Sequence, residues 1–178
     1  LFADIRGFTS FSETENPERV VGLLNRYFTA MTEIIFEHGG TLDKYIGDGL
    51  MAIFGAPTAT PVDAVNAVKA AVAMQKRMIS LNEELHQAGY SPVQVGIGLH
   101  TGVATIGYVG SEQRSEYTAI GDTVNLAARL EQNASGGQIL VSEATVSAAG
   151  NIFPVTVLEP LAVKNRLQPV ALFELRWA

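Results

Sequence analysis

Residues 41–55 read TLDKYIGDGLMAIFG, two apolar runs on either side of Gly47-Asp48-Gly49. Aspartate and glycine accept positive backbone φ angles, so this tripeptide is typical of a tight turn between antiparallel strands. The pattern predicts a β-hairpin with the strands TLDKYIG and GLMAIFG. Asp48 then lies at the tip of the hairpin, at one edge of the sheet that the hairpin joins.

The segment before the hairpin predicts a strand followed by a helix. Residues 1–5, LFADI, are typical of a short buried strand. Residues 16–40 predict a helix with Asn16 as its N-cap, Pro17 at the first helical position and a Gly-Gly pair at its end. Apolar residues recur along this helix at helical spacing, so we expect one face of it to pack on a sheet.

The segment after the hairpin predicts a second helix from about Pro61 to Ala88, with Thr60 and Asp63 spaced as a capping box. Residues 93–110 predict two strands, and a polar segment leads into a third helix, DTVNLAARLEQNA. The remaining predicted elements are the strand QILVS, the short helix SEATVSAAG and the strands FPVTVLEPL and PVALFELRW. The order predicts an α/β (α+β sandwich) fold with a ferredoxin-like β-α-β-β-α-β core and an additional α/β extension.

The composition restricts the class of protein. With 178 residues, 47% of them hydrophobic, we expect one domain over residues 1–178. The net charge of -6 argues against a nucleic-acid partner or an anionic membrane surface. Cysteine is absent, as suits a reducing, cytoplasmic location, and no apolar run reaches the roughly 18 to 20 residues of a membrane span. Because the sequence begins inside a predicted strand, we expect a module of a longer protein with upstream regulatory domains.

Asp4 and Asp48 form a candidate metal site. A carboxylate at the end of a buried strand costs free energy unless a cation or a hydrogen-bond donor meets it. The predicted topology brings both side chains to one edge of the sheet, where they would suit magnesium. The alternative is that Asp4 caps a turn and that Asp48 merely occupies a turn position that aspartate favours.

The segment after Asp4 indicates a phosphate site beside these carboxylates. Residues 5–11, IRGFTSF, offer backbone amides from Ile5, Gly7, Phe8 and Thr9 at a strand-to-helix turn, and glycine permits close backbone approach. Carboxylates for a metal beside amides for phosphate imply a metal–nucleoside triphosphate. A divalent cation would also explain why Asp4 is tolerated.

Three motifs together, FADIRGFTSFSE, LDKYIGDGLMAIFGAP and EYTAIGDTVNLAARLE, resemble the catalytic domain of the class III nucleotidyl cyclases, particularly the bacterial adenylate cyclases. The resemblance implies a homodimer with two interface active sites that converts ATP into 3′,5′-cyclic AMP and pyrophosphate. It also implies that Asp4, Asp48 and the backbone of Ile5 hold two divalent ions, Mg²⁺ or Mn²⁺.

The resemblance assigns two residues of the third helix to the transition state. Asn125 would position the ribose, and Arg129 would stabilise the charge that develops at the α-phosphate. Their spacing of four places them on one helix face. Without the resemblance, NLAARLE is an ordinary amphipathic helix and Arg129 a solvated side chain.

Lys164 matches the lysine that the family uses on the triphosphate tail. The next position is often glycine in the family and is Asn165 here, which tolerates left-handed backbone angles. Arg166 is an alternative to Lys164, and Arg114 is a further candidate for contact with the phosphates.

The purine-reading positions of the family correspond to Lys44 and Thr118. Adenine presents an acceptor at N1 and a donor at its 6-amino group, which a lysine ammonium and a hydroxyl oxygen satisfy. Guanine reverses that pattern of donor and acceptor. The guanylate-specific members of the family carry glutamate at the position of Lys44. The residues therefore favour ATP as the substrate.

The resemblance also implies how the sites are shared. One subunit would supply Asp4 and Asp48, and its partner would supply Lys44, Thr118, Asn125, Arg129 and Lys164. The alternatives are a guanylate or mixed-specificity cyclase and a catalytically silent nucleotide-binding dimerisation module. The intact metal pair and helix pair argue against the silent module, and no GGDEF-like turn supports a diguanylate cyclase.

Overall fold

The computed structural model describes all residues from Leu1 to Ala178. It contains five helices, α1 (Phe8–Thr14), α2 (Pro17–Glu37), α3 (Asp63–Gln87), α4 (Asp122–Asn133) and α5 (Glu143–Ala149). Its nine strands are β1 (Phe2–Ile5), β2 (Thr41–Ile46), β3 (Gly49–Ile53), β4 (Val95–Leu99), β5 (Thr105–Gly110), β6 (Ser115–Ile120), β7 (Ile139–Ser142), β8 (Val155–Leu161) and β9 (Val170–Leu175). None of the helices combines the length and the apolar composition that crossing a bilayer requires.

Seven strands form one sheet in the order β2-β3-β1-β4-β7-β9-β8, and β5 and β6 form a separate hairpin. β1 lies between β3 and β4 and is antiparallel to both. The arrangement β2-β3-β1-β4 is the order of a ferredoxin-like core, and β7 to β9 with α5 form the extension. The predicted fold class is therefore confirmed.

The two faces of the sheet carry different helices. Val95, Ile97 and Leu99 of β4 belong to the main core of 27 buried residues, which α2 and α3 cover. A β-strand alternates its side chains between faces, so Gly96 and Gly98 face the other way, toward α4. A smaller buried cluster on the α4 face consists of Leu130, Ala134, Leu140 and Leu172.

The local signals predicted for the helix over residues 16–40 and for the hairpin are confirmed. The Asn16 side chain accepts a hydrogen bond of 2.8 Å from the Glu18 amide, and α2 begins at Pro17. Gly47 in the hairpin turn has a φ of 59°.

The predicted capping box at the start of α3 is wrong. Thr60 and Asp63 do bond to each other, but α3 begins at Asp63 itself, with Val62 at the N-cap and no side-chain cap. The contact therefore closes the turn before the helix. Two elements were not predicted, the short helix α1 and the strand β6.

Gly98 marks a close approach between β4 and α4. A methyl group on its Cα would collide with the backbone amide of Glu131 and the carbonyl of Ala127. We expect Gly98→Ala to lower the free energy of unfolding by about 2 to 3 kcal/mol, because a helix backbone cannot give way as a flexible side chain can. Urea denaturation measures the change.

Gly107→Ala is the matched control, because a methyl group there meets nothing within 4 Å. We expect this control to change the stability by less than about 0.5 kcal/mol. Equal stability of both variants would contradict the close contact between β4 and α4.

Candidate active site

The structure brings Asp4 and Asp48 together at one edge of the sheet. Asp4 pairs with Gly49 across β1 and β3, and Asp48 precedes that glycine in the hairpin turn. Partial burial, together with the hydrogen bond and the charge of Asp4, raises the pKa of Asp48 to about 7. The Oδ1 atom of Asp4 is buried and has no hydrogen-bond partner. The pair therefore has unmet capacity for a cation.

The turn after β1 forms an open pocket with these carboxylates, lined by residues 4–10 and Asp48. Gly7 has a left-handed φ of 74° and directly precedes α1. Ile5 lines the pocket although the residue is 3% exposed and its side chain belongs to the main core, so the backbone is the part available to a ligand. The predicted metal and phosphate residues of this segment thus lie side by side.

The donor set fits a magnesium or manganese ion. No third aspartate, glutamate or histidine joins the pair. Two carboxylates and the Ile5 carbonyl leave several coordination positions for water and phosphate oxygens, which is the shell that Mg²⁺ prefers. The unpartnered Asp4 oxygen supplies an acceptor that this chain does not otherwise use.

The raised pKa of Asp48 predicts that the free energy of unfolding of the metal-free protein falls as the pH rises. The folded state binds a proton at Asp48 more tightly than the unfolded state, so the stability that this proton contributes is lost as the pH rises from about 4 through about 7. Asparagine does not titrate, so Asp48→Asn removes this pH-dependent loss of stability. We expect the variant, without metal, to have a higher Tm than the wild type at pH 8 and nearly the same Tm at pH 4, measured by calorimetry.

Magnesium should reverse this difference by stabilising only the wild type. A Tm difference between the two proteins that is the same at pH 4 and at pH 8 would show that folding does not raise the pKa of Asp48.

Asn125 and Arg129 both lie exposed on α4, one turn apart, while the residues that follow them, Leu126 and Leu130, are buried. The Arg129 guanidinium has one weak side-chain contact, 3.4 Å to Gln132. No hydrogen bond or ion pair joins either residue to the carboxylate pair of the same chain. The structure therefore leaves this pair available to another molecule.

Lys44 and Thr118 lie near each other across β2 and β6. Lys44 Nζ lies 3.0 Å from Glu116 Oε2, and Thr118 Oγ1 donates a hydrogen bond of 2.5 Å to Asp43 Oδ2. Sequence reasoning had missed Asp43 and Glu116. Strand alternation in SEYTAI could have placed Glu116 on the face of Thr118, but no local pattern singles out Asp43.

The remaining predicted residues lie in loops. Lys164 is exposed, and Asn165 has a left-handed φ of 69°, which confirms that asparagine supports this turn. Arg166 forms an ion pair with Asp122 at the start of α4, so it is engaged elsewhere and is a poor substitute for Lys164. Arg114 lies in the turn between β5 and β6, away from any ion pair.

Comparison with known proteins gives a consistent assignment. The family model "Adenylate and Guanylate cyclase catalytic domain" matches residues 1–174. Adenylate cyclase 1 of Rhizobium meliloti is 35% identical over 98% of this chain and 26% of its own length. The chain thus spans about a quarter of that relative.

Two solved structures superpose closely on the chain. The adenylyl cyclase CyaB from P. aeruginosa has a TM-score of 0.94 and 38% identity over 98% of this chain and 91% of its own. The guanylyl cyclase Cya2 has a TM-score of 0.90 and 41% identity over 98% and 88%, respectively. The chain belongs to the family of adenylate and guanylate cyclase catalytic domains.

Proposed function

We propose that this domain is an adenylate cyclase that converts ATP into 3′,5′-cyclic AMP and pyrophosphate at the interface of a homodimer. The observation that carries the proposal is the adjacent pair Asp4 and Asp48 with its unpartnered buried oxygen, beside the left-handed turn at Gly7. A divalent cation bound between two acidic groups held this close would offset the repulsion that contributes to the raised pKa of Asp48.

Asp4, Asp48 and the Ile5 carbonyl would hold two divalent ions. When bound, these ions lower the pKa of the ribose 3′-hydroxyl and neutralise charge on the β- and γ-phosphates. The amides of residues 7–9 would donate to the phosphate oxygens, because Gly7 lets the backbone approach without a side chain between them. These groups hold the triphosphate still while the 3′-oxygen attacks the α-phosphorus and pyrophosphate leaves.

The partner subunit would complete each site with Asn125 and Arg129. Both are exposed and unpaired with the carboxylates of their own chain, which suits residues that act across an interface. The Asn125 amide would orient the ribose. The Arg129 guanidinium would approach the α-phosphate and offset the negative charge that grows there, with Lys164 serving the triphosphate tail.

The choice of ATP rests on Lys44 and Thr118 rather than on overall similarity, since the relatives include both adenylyl and guanylyl cyclases. The Lys44 ammonium can donate to adenine N1, and the Thr118 oxygen can accept from the 6-amino group. Guanine would present a hydrogen-bond donor to the Lys44 ammonium, which is itself a donor, and an acceptor to the Thr118 oxygen. A buried mismatch of this kind costs about 1 to 3 kcal/mol.

The test is an assay of the purified domain with ATP or GTP and with Mg²⁺ or Mn²⁺, in which both cyclic products are quantified. We expect cyclic AMP to dominate. Dominant cyclic GMP would favour the guanylate alternative, and the absence of both products with bound nucleotide would favour the silent module.

A further inference from the structure

Strand β2 carries one extra residue relative to β3. Leu42 lies opposite Ala52 and Lys44 lies opposite Met51, which leaves Asp43 as the residue of a β-bulge. A bulge interrupts the alternation of side chains between the two faces of a strand and re-aims the side chains beside it. Asp43 and Lys44 therefore both reach β6, although consecutive residues of a regular strand point to opposite faces.

The two side chains meet two residues of β6 that share a face. Thr118 donates its hydroxyl hydrogen to Asp43, and Lys44 pairs with Glu116. Lys44 Nζ also lies 3.9 Å from Asp43 Oδ2. The Asp43 side chain is 2% exposed and Thr118 is 6% exposed, so water does not compete for their hydrogen bond.

The chemistry of this bond fixes the direction in which Thr118 donates. A carboxylate has no hydrogen to give, so in the pair with Asp43 the Thr118 hydroxyl must be the donor. A hydroxyl has a single hydrogen. When this hydrogen is donated to Asp43, Thr118 can offer only its oxygen lone pairs to other groups. A threonine without this neighbour could rotate and act as donor or acceptor.

We propose that Asp43 is a positioning residue for purine selection, which fixes the Thr118 hydroxyl as an acceptor toward the base. The inference rests on the proposed function, because it takes Lys44 and Thr118 as the residues that read the base. Adenine offers its 6-amino hydrogen to the Thr118 oxygen. Guanine offers an oxygen to an oxygen, and the hydroxyl cannot turn to correct this without abandoning a buried carboxylate.

Asp43→Asn tests the proposal because it keeps the size of the side chain and adds a donor. The amide NH₂ can donate to Thr118 and free the hydroxyl hydrogen for guanine. The measurement is calorimetric binding of 3′-deoxy-ATP and 3′-deoxy-GTP, which lack the attacking hydroxyl. We expect the ratio of the two Kd values to move toward the guanine nucleotide by about tenfold.

The same substitution in a Thr118→Val background separates positioning from general damage. Valine keeps the shape of threonine without the hydroxyl, so Asp43→Asn should then change the ratio by less than about twofold. Glu37→Gln, at the exposed end of α2, controls for loss of a carboxylate far from this site. If Asp43→Asn does not fold, as judged by circular dichroism, Asp43→Ser replaces it under the same criterion.

An unchanged ratio in Asp43→Asn, or an equal shift in the Thr118→Val background, would overturn the inference. A wild-type domain that binds the guanine nucleotide more tightly would also overturn it. These outcomes are distinct from failure of the proposed function, which is read from product formation with ATP and GTP. A domain that makes no cyclic product can still show the binding ratio and its dependence on Asp43.

Discussion

Replacing either Asp4 or Asp48 with asparagine should lower kcat with ATP and Mg²⁺ by about a thousandfold, because the ion contacts of the carboxylate contribute several kcal/mol to transition-state stabilisation. Asparagine preserves the shape of the side chain but removes the negative charge that we propose holds the ion. The unpartnered Oδ1 of Asp4 supports this expectation, since this buried acceptor has no hydrogen-bond partner within the chain.

The measurement combines turnover with metal binding. Steady-state cyclic AMP formation gives kcat, and titration with Mn²⁺ followed by electron paramagnetic resonance gives the metal affinity. Asp63→Asn is the matched control, because Asp63 bonds to Thr60 before α3 and takes no part in the proposed chemistry. Wild-type turnover in Asp4→Asn, with Asp63→Asn unchanged, would remove the metal pair from the mechanism.

The same substitution at Asp48 should have opposite effects on stability and activity. Without metal, Asp48→Asn removes the burial of a charged carboxylate and the repulsion by Asp4, which help to raise the pKa of this carboxyl to about 7. With metal and substrate, it removes one of the proposed metal ligands. Such a site lowers the stability of the protein when it is empty and is stabilised only when its ligand binds. This is the expected form of the trade-off between stability and activity.

Much of the core could be predicted from local signals. The hairpin around Gly47 and the helix that begins at Pro17 follow from backbone preferences that do not depend on distant residues. Their order then determines which strands are neighbours, and this order alone predicts that Asp4 and Asp48 lie at the same edge of the sheet. The left-handed Asn165 is a further case in which a local preference was sufficient.

The elements that were missed depend on tertiary contacts. β6 begins with the polar residues Ser115 and Glu116 and pairs only with β5, so its sequence lacks the apolar run of a buried strand. α1 has seven residues and no side-chain cap, which is too short for helical periodicity to stand out. The role that we propose for Asp43 depends on a β-bulge, and a bulge cannot be recognised from one strand alone.

The proposed sharing of each site between two chains predicts that two inactive variants restore each other. In a mixture of Asp4→Ala and Arg129→Ala chains, a heterodimer combines the intact Asp4 of one chain with the intact Arg129 of the other at one site and leaves the second site doubly broken. Random pairing makes about half of the dimers heterodimers, so the mixture should recover about a quarter of wild-type activity. Each variant alone should be nearly inactive.

The double variant that carries both substitutions in one chain is the control. Mixed in equal amount with wild-type chains, it places a lesion in both sites of every heterodimer, so it should lower the activity of the added wild type by about half. If each site lay within one chain, the first mixture would stay inactive, and the second would keep the full activity of its wild-type chains. Cyclic AMP formation in both mixtures, with heterodimers verified by mass spectrometry of differently tagged chains, therefore distinguishes a site built across two subunits from one built within a single fold.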